Sequence, residues 1–173
     1  GSPMIRGFAT NRVLITVDGV RMNNAIFRSG NVQNIISLDP FTVSGVEVLF
    51  GPGSNIYGSD AIGGVMNFST FKPRFSGNKK PVFSGNAVSR YASANFEKTA
   101  HLDFNVGFKR WAFLSSVSYT DFDDLMMGSF GPEEYLRNQY VIRANGIDSV
   151  KINPNPRIQT PTAYDQFNIM QKI

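Results

Sequence analysis

Over residues 1–70 the apolar positions gather in short runs broken by glycine. Val13, Leu14, Ile15 and Val17 precede Asp18-Gly19, and Val43, Val46, Val48, Leu49 and Phe50 precede Gly51-Pro52-Gly53. Runs this short, rich in β-branched residues and closed by turn formers, predict strands. A third strand fits Gly64 to Phe68. Between the first two, Asn31 to Leu38 places Val32, Ile35, Ile36 and Leu38 at roughly helical spacing, which predicts one short helix. This half therefore reads as a small mixed α/β unit with a modest core.

A different pattern begins further on. Residues 72–81, KPRFSGNKKP, are poor in apolar side chains and rich in Pro, Gly and Lys, which predicts a linker. Beyond it the alternation has period two. Leu102, Phe104, Val106 and Phe108 alternate with His101, Asp103, Asn105 and Gly107; Trp111, Phe113, Val117 and Tyr119 alternate with Ala112, Ser116, Ser118 and Thr120. Four strands are predicted, at about 82–92, 99–109, 111–122 and 164–172. Lys109-Arg110 forms a tight connection, whereas 121–163 forms a long polar one containing several Gly and Pro residues.

The lengths decide between two readings of that half. A soluble sandwich turns its apolar face inward and uses strands of about 5–6 residues. Here a strand of about ten residues approaches the ~9–11 needed to cross a bilayer at a tilt. Alternating faces, aromatic residues, a short turn at one end and a long loop at the other are also what a transmembrane barrel shows. No apolar run approaches the ~20 residues of a membrane helix.

Composition and charge then narrow the chemistry. The chain has 173 residues and no cysteine, so disulfides, thiolate metal sites and cysteine nucleophiles are excluded. Its single histidine, His101, is expected to be a wall residue on the polar face of a strand. Asp121, Asp123 and Asp124 lack the Gly and Glu of a calcium loop and are expected at a solvated loop end. No Ser-His-Asp set or carboxylate pair can be assembled, so neither an enzyme nor a cofactor is expected. A net charge of +4 is spread along the chain, with no basic run longer than Lys79-Lys80, which argues against nucleic acid. The stretch GPGSNIYGSDAIGG lacks the Lys-Ser/Thr end of a phosphate-binding loop.

Three motifs in order, IRGF at 5–8, NRVLITVDGV at 11–20 and VEVLFGPGSNIYGSDAIGGVMNFST at 46–70, resemble the plug domain of TonB-dependent outer-membrane receptors. The wording NRVLITVDGVRMNNAIFR is most similar to the branch of haem and haem-protein receptors. The resemblance implies a plug over residues 1–71, a linker at 72–81, and over 82–173 the first strands of a barrel of about 22 strands with a long external loop at about 121–163. On that count the chain is expected to be a piece of a longer protein, because an open set of four strands leaves edges that a bilayer cannot satisfy. It also implies residence in the outer membrane of a Gram-negative bacterium, contact with outer-membrane lipid, and energised import of haem or a ferric siderophore through TonB, which would act on a segment upstream. The competing reading is a non-transporting surface module, an adhesin or a secretion-pore segment.

Site residues follow from the same resemblance. The plug loop at 21–31 implies Asn24, Ile26, Phe27 and Arg28 as ligand-facing, with Asn11 and Arg12 on the neighbouring loop. Arg6 implies an anchor of the plug to barrel glutamates. The family's second such arginine, just before the Gly-Pro pair, is Phe50 here, and Glu47 is expected to pair locally with Arg6 or Arg12.

Overall fold

The structure is a computed structural model and describes residues 3–9, 12–22, 35–51 and 54–173. The chain divides into two compact units, residues 1–73 and 74–173.

In the first unit, β1 (Met4–Ile5) and β2 (Phe8–Ala9) form a small antiparallel pair. The main sheet contains β3 (Val13–Val17), β4 (Val20–Arg21), β5 (Val43–Phe50) and β6 (Gly64–Thr70), in the order β4-β3-β6-β5. β3 runs parallel to β6, and β5 runs antiparallel to it. β3 is buried on both faces, as its continuous VLITV run suits. Leu14, Val65 and Ala61 form the centre of the core, with Tyr57 packed against it. The edge strand β5 leaves Val46, Val48, Leu49 and Phe50 exposed.

The expected helix at 31–38 is not an α-helix where it is described: Ile35–Ser37 make one 3-10 turn. Asp39 caps a second such turn at Pro40–Thr42, its carboxylate accepting from the Phe41 N–H at 2.9 Å. Pro40 ends any helical run that would begin upstream. Among the described residues the one α-helical turn, α1 (Ser54–Tyr57), was not expected. The unit is therefore mostly β rather than mixed α/β.

The second unit is an antiparallel sheet of β7 (Val82–Ala92), β8 (Glu97–Gly107), β9 (Ala112–Phe122) and β12 (Tyr164–Lys172), in the order β12-β9-β8-β7. Between β9 and β12 lies a hairpin of β10 (Gln139–Ala144) and β11 (Ile147–Ile152). So the segment 121–163, expected as one long loop, carries a sheet of its own. Its turn is Asn145-Gly146, with φ of 52° and 79°, the two positive angles that a two-residue hairpin turn requires. The linker expected at 72–81 is, from Arg74 onward, bonded to this second unit. Asn105 Oδ1 accepts from the Arg74 N–H at 2.8 Å, and Ser76 N–H donates to the Phe108 carbonyl at 3.1 Å. The backbone of Arg74 comes so close to Gly107 that a side chain there would strike it. β8 stops at Gly107, two residues earlier than its sequence pattern suggests, because Phe108 N–H donates to the Trp111 carbonyl and starts the turn.

The faces of this sheet are inverted relative to a water-soluble protein. One cross-strand row joins Ala87, Leu102, Val117 and Ile169, and the next joins Ser89, Ala100, Tyr119 and Phe167. Their large side chains are open to the outside, with Leu102 55% and Ile169 72% exposed. The opposite face holds Thr99, His101, Asn105, Ser116, Ser118 and Thr120, all buried. Apolar out and polar in is the pattern of a wall set in lipid.

Candidate functional site

In the first unit, the candidate site is built on the ends of the central strands. Thr16, Asn67 and Glu47 lie in register across β3, β6 and β5. Thr16 Oγ1 donates to Asn67 Oδ1 at 2.7 Å, and Asn67 Nδ2 donates to Glu47 at 3.3 Å. Glu47 is thus engaged by a neutral amide. Arg6, in the left-handed region at φ 48°, instead sets its guanidinium over the Phe50 ring, 5.2 Å from its centroid. Among the described residues no ion pair joins Glu47 to Arg6 or Arg12, which corrects the local pairing expected above. Positions 47 and 50 point to opposite faces of β5, so a side chain seated on Phe50 cannot also reach Glu47. Phe50 does not merely remove a second arginine; it gives the first one a cation–π seat.

Arg12 is exposed. Asn11, Asn24, Ile26, Phe27 and Arg28 lie outside the described residues. Arg21, next to that loop, donates to the Tyr57 carbonyl and lies against Gly58.

The Asp18-Gly19 turn does more than reverse the chain. Asp18 Oδ1 accepts from the Thr70 N–H at 2.8 Å and Oδ2 from its hydroxyl at 2.5 Å. The Asp18 N–H donates to the Phe68 carbonyl at 2.9 Å. One carboxylate thereby fastens the end of β6, where the chain leaves the sheet. Asp18→Ala is expected to destabilise the first unit by about 1–3 kcal/mol, since the buried Thr70 would lose both of its bonds to this carboxylate. Asp18→Asn, which keeps one acceptor, should lose less. Limited proteolysis of the two variants checks the order; equal protection would refute it.

In the second unit the buried polar face is a connected network. Glu97 accepts from Arg90 and from Thr99 Oγ1 at 2.7 Å, and Thr99 in turn accepts from the Thr120 hydroxyl at 3.2 Å. His101 Nδ1 is 2.7 Å from Ser118 Oγ, and its Nε2 is 3.1 Å from Asp103, which also accepts from Asn86. The histidine is a wall residue, as expected, with a side chain only 2% exposed. This Ser-His-Asp contact is no catalytic set: Ser118 is itself buried and closed to substrate. Among the described residues, no three His, Asp or Glu side chains are placed to hold a metal ion.

Beyond the strand ends, the segment 123–163 is knit by two polar hubs. Buried Asn153 donates to the Arg137 and Ile158 carbonyls at 2.8 and 2.9 Å. Asp124, expected at a solvated loop end, accepts from the Thr162 and Ala163 N–H groups at 2.6 and 2.9 Å and from the Thr160 hydroxyl at 2.6 Å. Partial burial raises its pKa, but the hydroxyl of Thr160 and the N–H groups of Thr162 and Ala163 outweigh that and hold it below the usual carboxylate value. Its contribution is therefore full above the unfolded carboxylate pKa and is lost as pH falls through the depressed folded value. Amide protection at Thr162 and Ala163, corrected for intrinsic exchange, should fall in that acidic window. The drop should be absent in Asp124→Asn; a drop of equal size in that variant would refute the assignment.

Sequence reasoning missed the Asp18–Thr70 clamp, the Asp124 hub and the β10–β11 hairpin. Only the hairpin had a signal in the sequence, the Asn145-Gly146 pair between two β-rich runs.

Comparison with known proteins comes down on the same side. Residues 1–65 match the TonB-dependent receptor plug domain. A stretch of 101 residues, 58% of this chain, is 41% identical to the vitamin B12 transporter BtuB of Vibrio vulnificus strain CMCP6, and covers 15% of that protein's length. These matches indicate the outer membrane of a Gram-negative bacterium. The likeness to a plug domain thus falls on the glycine-punctuated first unit, and the chain spans only a small part of the length of the curated relative it matches.

Proposed function

We propose that this chain supplies the plug and the opening barrel strands of a receptor that imports a scarce nutrient across the outer membrane by an energised, TonB-dependent route. The observation that carries the reading is the succession, in one chain, of a plug-type sheet and a sheet with inverted faces. A plug that fills a barrel has to be held firmly and yet be released in part. Short strands separated by glycines, a core centred on Leu14, Ala61 and Val65, and single-residue fastenings such as Asp18 suit that demand. The external segment 123–163 stands where an arriving ligand would be met. An adhesin has no use for a plug, so this reading is preferred to a non-transporting surface module.

For the substrate, a corrinoid of the vitamin B12 type is the first choice, because the 41% identical relative is a vitamin B12 transporter. Haem and ferric siderophores, suggested by the sequence resemblance, are the alternatives. Haem is weakened by the one histidine of the chain, whose ring nitrogens already face Ser118 and Asp103 inside the wall. The test is uptake of labelled cyanocobalamin, haemin and a ferric siderophore by cells expressing the whole receptor to which this chain contributes, with and without TonB. TonB-dependent uptake of the corrinoid is the expected result. TonB-dependent uptake of only an iron compound would overturn the substrate, and uptake of none of the three would overturn the transport reading.

A further inference from the structure

The end of the second unit where β7 begins and β8 turns into β9 carries a collar of cations with no acid beside it. Residues 74–82 (RFSGNKKPV) and 107–113 (GFKRWAF) contain Arg74, Lys79, Lys80, Lys109 and Arg110 and neither Asp nor Glu. All of these cations are exposed, and among the described residues none forms an ion pair. The opposite end of the same sheet is acidic, with Glu97, Asp121, Asp123, Asp124 and Asp165.

The collar is held in place by backbone contacts. Ser76 N–H donates to the Phe108 carbonyl at 3.1 Å, so the 74–80 turn lies against the β8–β9 turn. Asn105 ties Arg74 through both of its amide atoms, at 2.8 and 3.1 Å, and Ser76 Oγ bonds the Asn78 carbonyl at 2.9 Å and also that of Lys80. Phe108 N–H donates to the Trp111 carbonyl at 2.7 Å, which closes the turn bearing Lys109 and Arg110. Around these cations stand exposed aromatics: Phe75, Phe83, Phe108 and Trp111, the last 63% exposed. Phe83 also begins the outward apolar face, in register with Val106 and Phe113.

We propose that this collar is a binding site for the headgroups of anionic phospholipids in the periplasmic leaflet of the outer membrane. The inference rests on the barrel reading, which sets the short-turn end at the periplasmic surface because the long segment 123–163 leaves from the other end. Aromatic rings at that level sit at the boundary between acyl chains and headgroups. Lys and Arg beside them are then within reach of lipid phosphates, each such contact being worth about a fivefold gain in association. A phosphodiester between two acyl chains satisfies both halves of the patch, the cations and the rings, as a free anion does not. Through Arg74 and Asn105 the lipid would also brace the point where the chain enters the barrel.

A reporter beside the collar tests this directly. A side chain at Gly77 meets nothing within 4 Å, so Gly77→Cys in an otherwise cysteine-free form of the protein can carry a fluorophore. The labelled protein in bilayers is titrated with phosphatidylglycerol or phosphatidylcholine brominated on the acyl chains, and quenching reports the lipid beside the collar. Brominated phosphatidylglycerol is expected to quench in preference to phosphatidylcholine, and rising salt should reduce that preference. Lys79→Gln with Lys80→Gln should cut the preference at least about fivefold. Adding Lys109→Gln and Arg110→Gln should bring it to parity. Equal quenching by both lipids in the unsubstituted protein, or an unchanged preference in the double variant, would overturn the site while leaving the barrel standing. Quenching by neither lipid would overturn both.

Discussion

Leu102→Arg in the membrane-inserted protein is expected to cost about 2–4 kcal/mol of barrel stability. Leu102 sits at the middle of β8, five positions from either end of Glu97–Gly107, which on the proposed barrel reading is the middle of the bilayer. It is 55% exposed and is flanked in register by Ala87 and Val117. On a water-soluble protein the exchange of so exposed a leucine for arginine would be close to neutral and would improve solubility. In lipid the guanidinium loses its hydration, and a mid-strand position offers no short path by which the side chain could snorkel to either interface. The sign of the effect therefore separates the two environments. Leu102→Phe, which keeps the face apolar, should be nearly neutral, and Arg introduced near a strand end, at Phe83, should cost only about 0–1 kcal/mol. Urea unfolding from bilayers, followed by the change in gel mobility between folded and unfolded barrel, measures all three. A neutral Leu102→Arg would remove the lipid-facing assignment, and with it the barrel.

That assignment was legible because a barrel strand writes its two faces into adjacent positions. His101 to Phe108 alternate without a fault, and the observed register puts every apolar member on the outside. The strand limits were less legible. β8 starts two residues earlier than its pattern, at Glu97, because Arg90 and Thr99 hold that carboxylate inside the wall. It stops at Gly107 because Phe108 already belongs to the turn, its N–H donating to the Trp111 carbonyl. Neither cause is stated by the alternation itself. The plug shows the same division. VLITV is a strand on sight, whereas the seat of Arg6 depends on which face of β5 carries Phe50 and which carries Glu47, and no local pattern states that. Charge alone suggested a pair; instead Asn67 engages Glu47 and the Phe50 ring takes Arg6. The Asp18 clamp was hidden for a related reason, since an Asp-Gly turn explains itself locally and gives no hint that Thr70 is its partner.

Gly64→Ala is expected to be the most damaging single exchange in the plug. Gly64 opens β6 at φ 145°, a backbone angle that costs an L-residue about 1–3 kcal/mol where it is enforced. Here it is enforced from both sides, because the residue pairs with Val13 on β3 and with Phe50 on β5. A methyl group added at Gly64 would lie 2.7 Å from the Leu49 carbonyl oxygen and 3.1 Å from Ile5 Cδ1. The first contact is backbone in the neighbouring strand and cannot move aside without breaking the β5–β6 ladder; only the second could be relieved by a rotamer change. Strain and collision add on the one strand that joins β3 to β5, so the loss should reach the upper part of that range or exceed it. Gly45 is the control: a side chain there meets nothing within 4 Å, and its φ is not in the positive region, so Gly45→Ala should change little. With the plug loosened and the β7–β8–β9 sheet untouched, Gly64→Ala should expose the first unit to protease while the barrel keeps its gel mobility. Cleavage no faster than in Gly45→Ala would show that β6 does not depend on this glycine, and that the sheet order β4-β3-β6-β5 is not what holds the plug together.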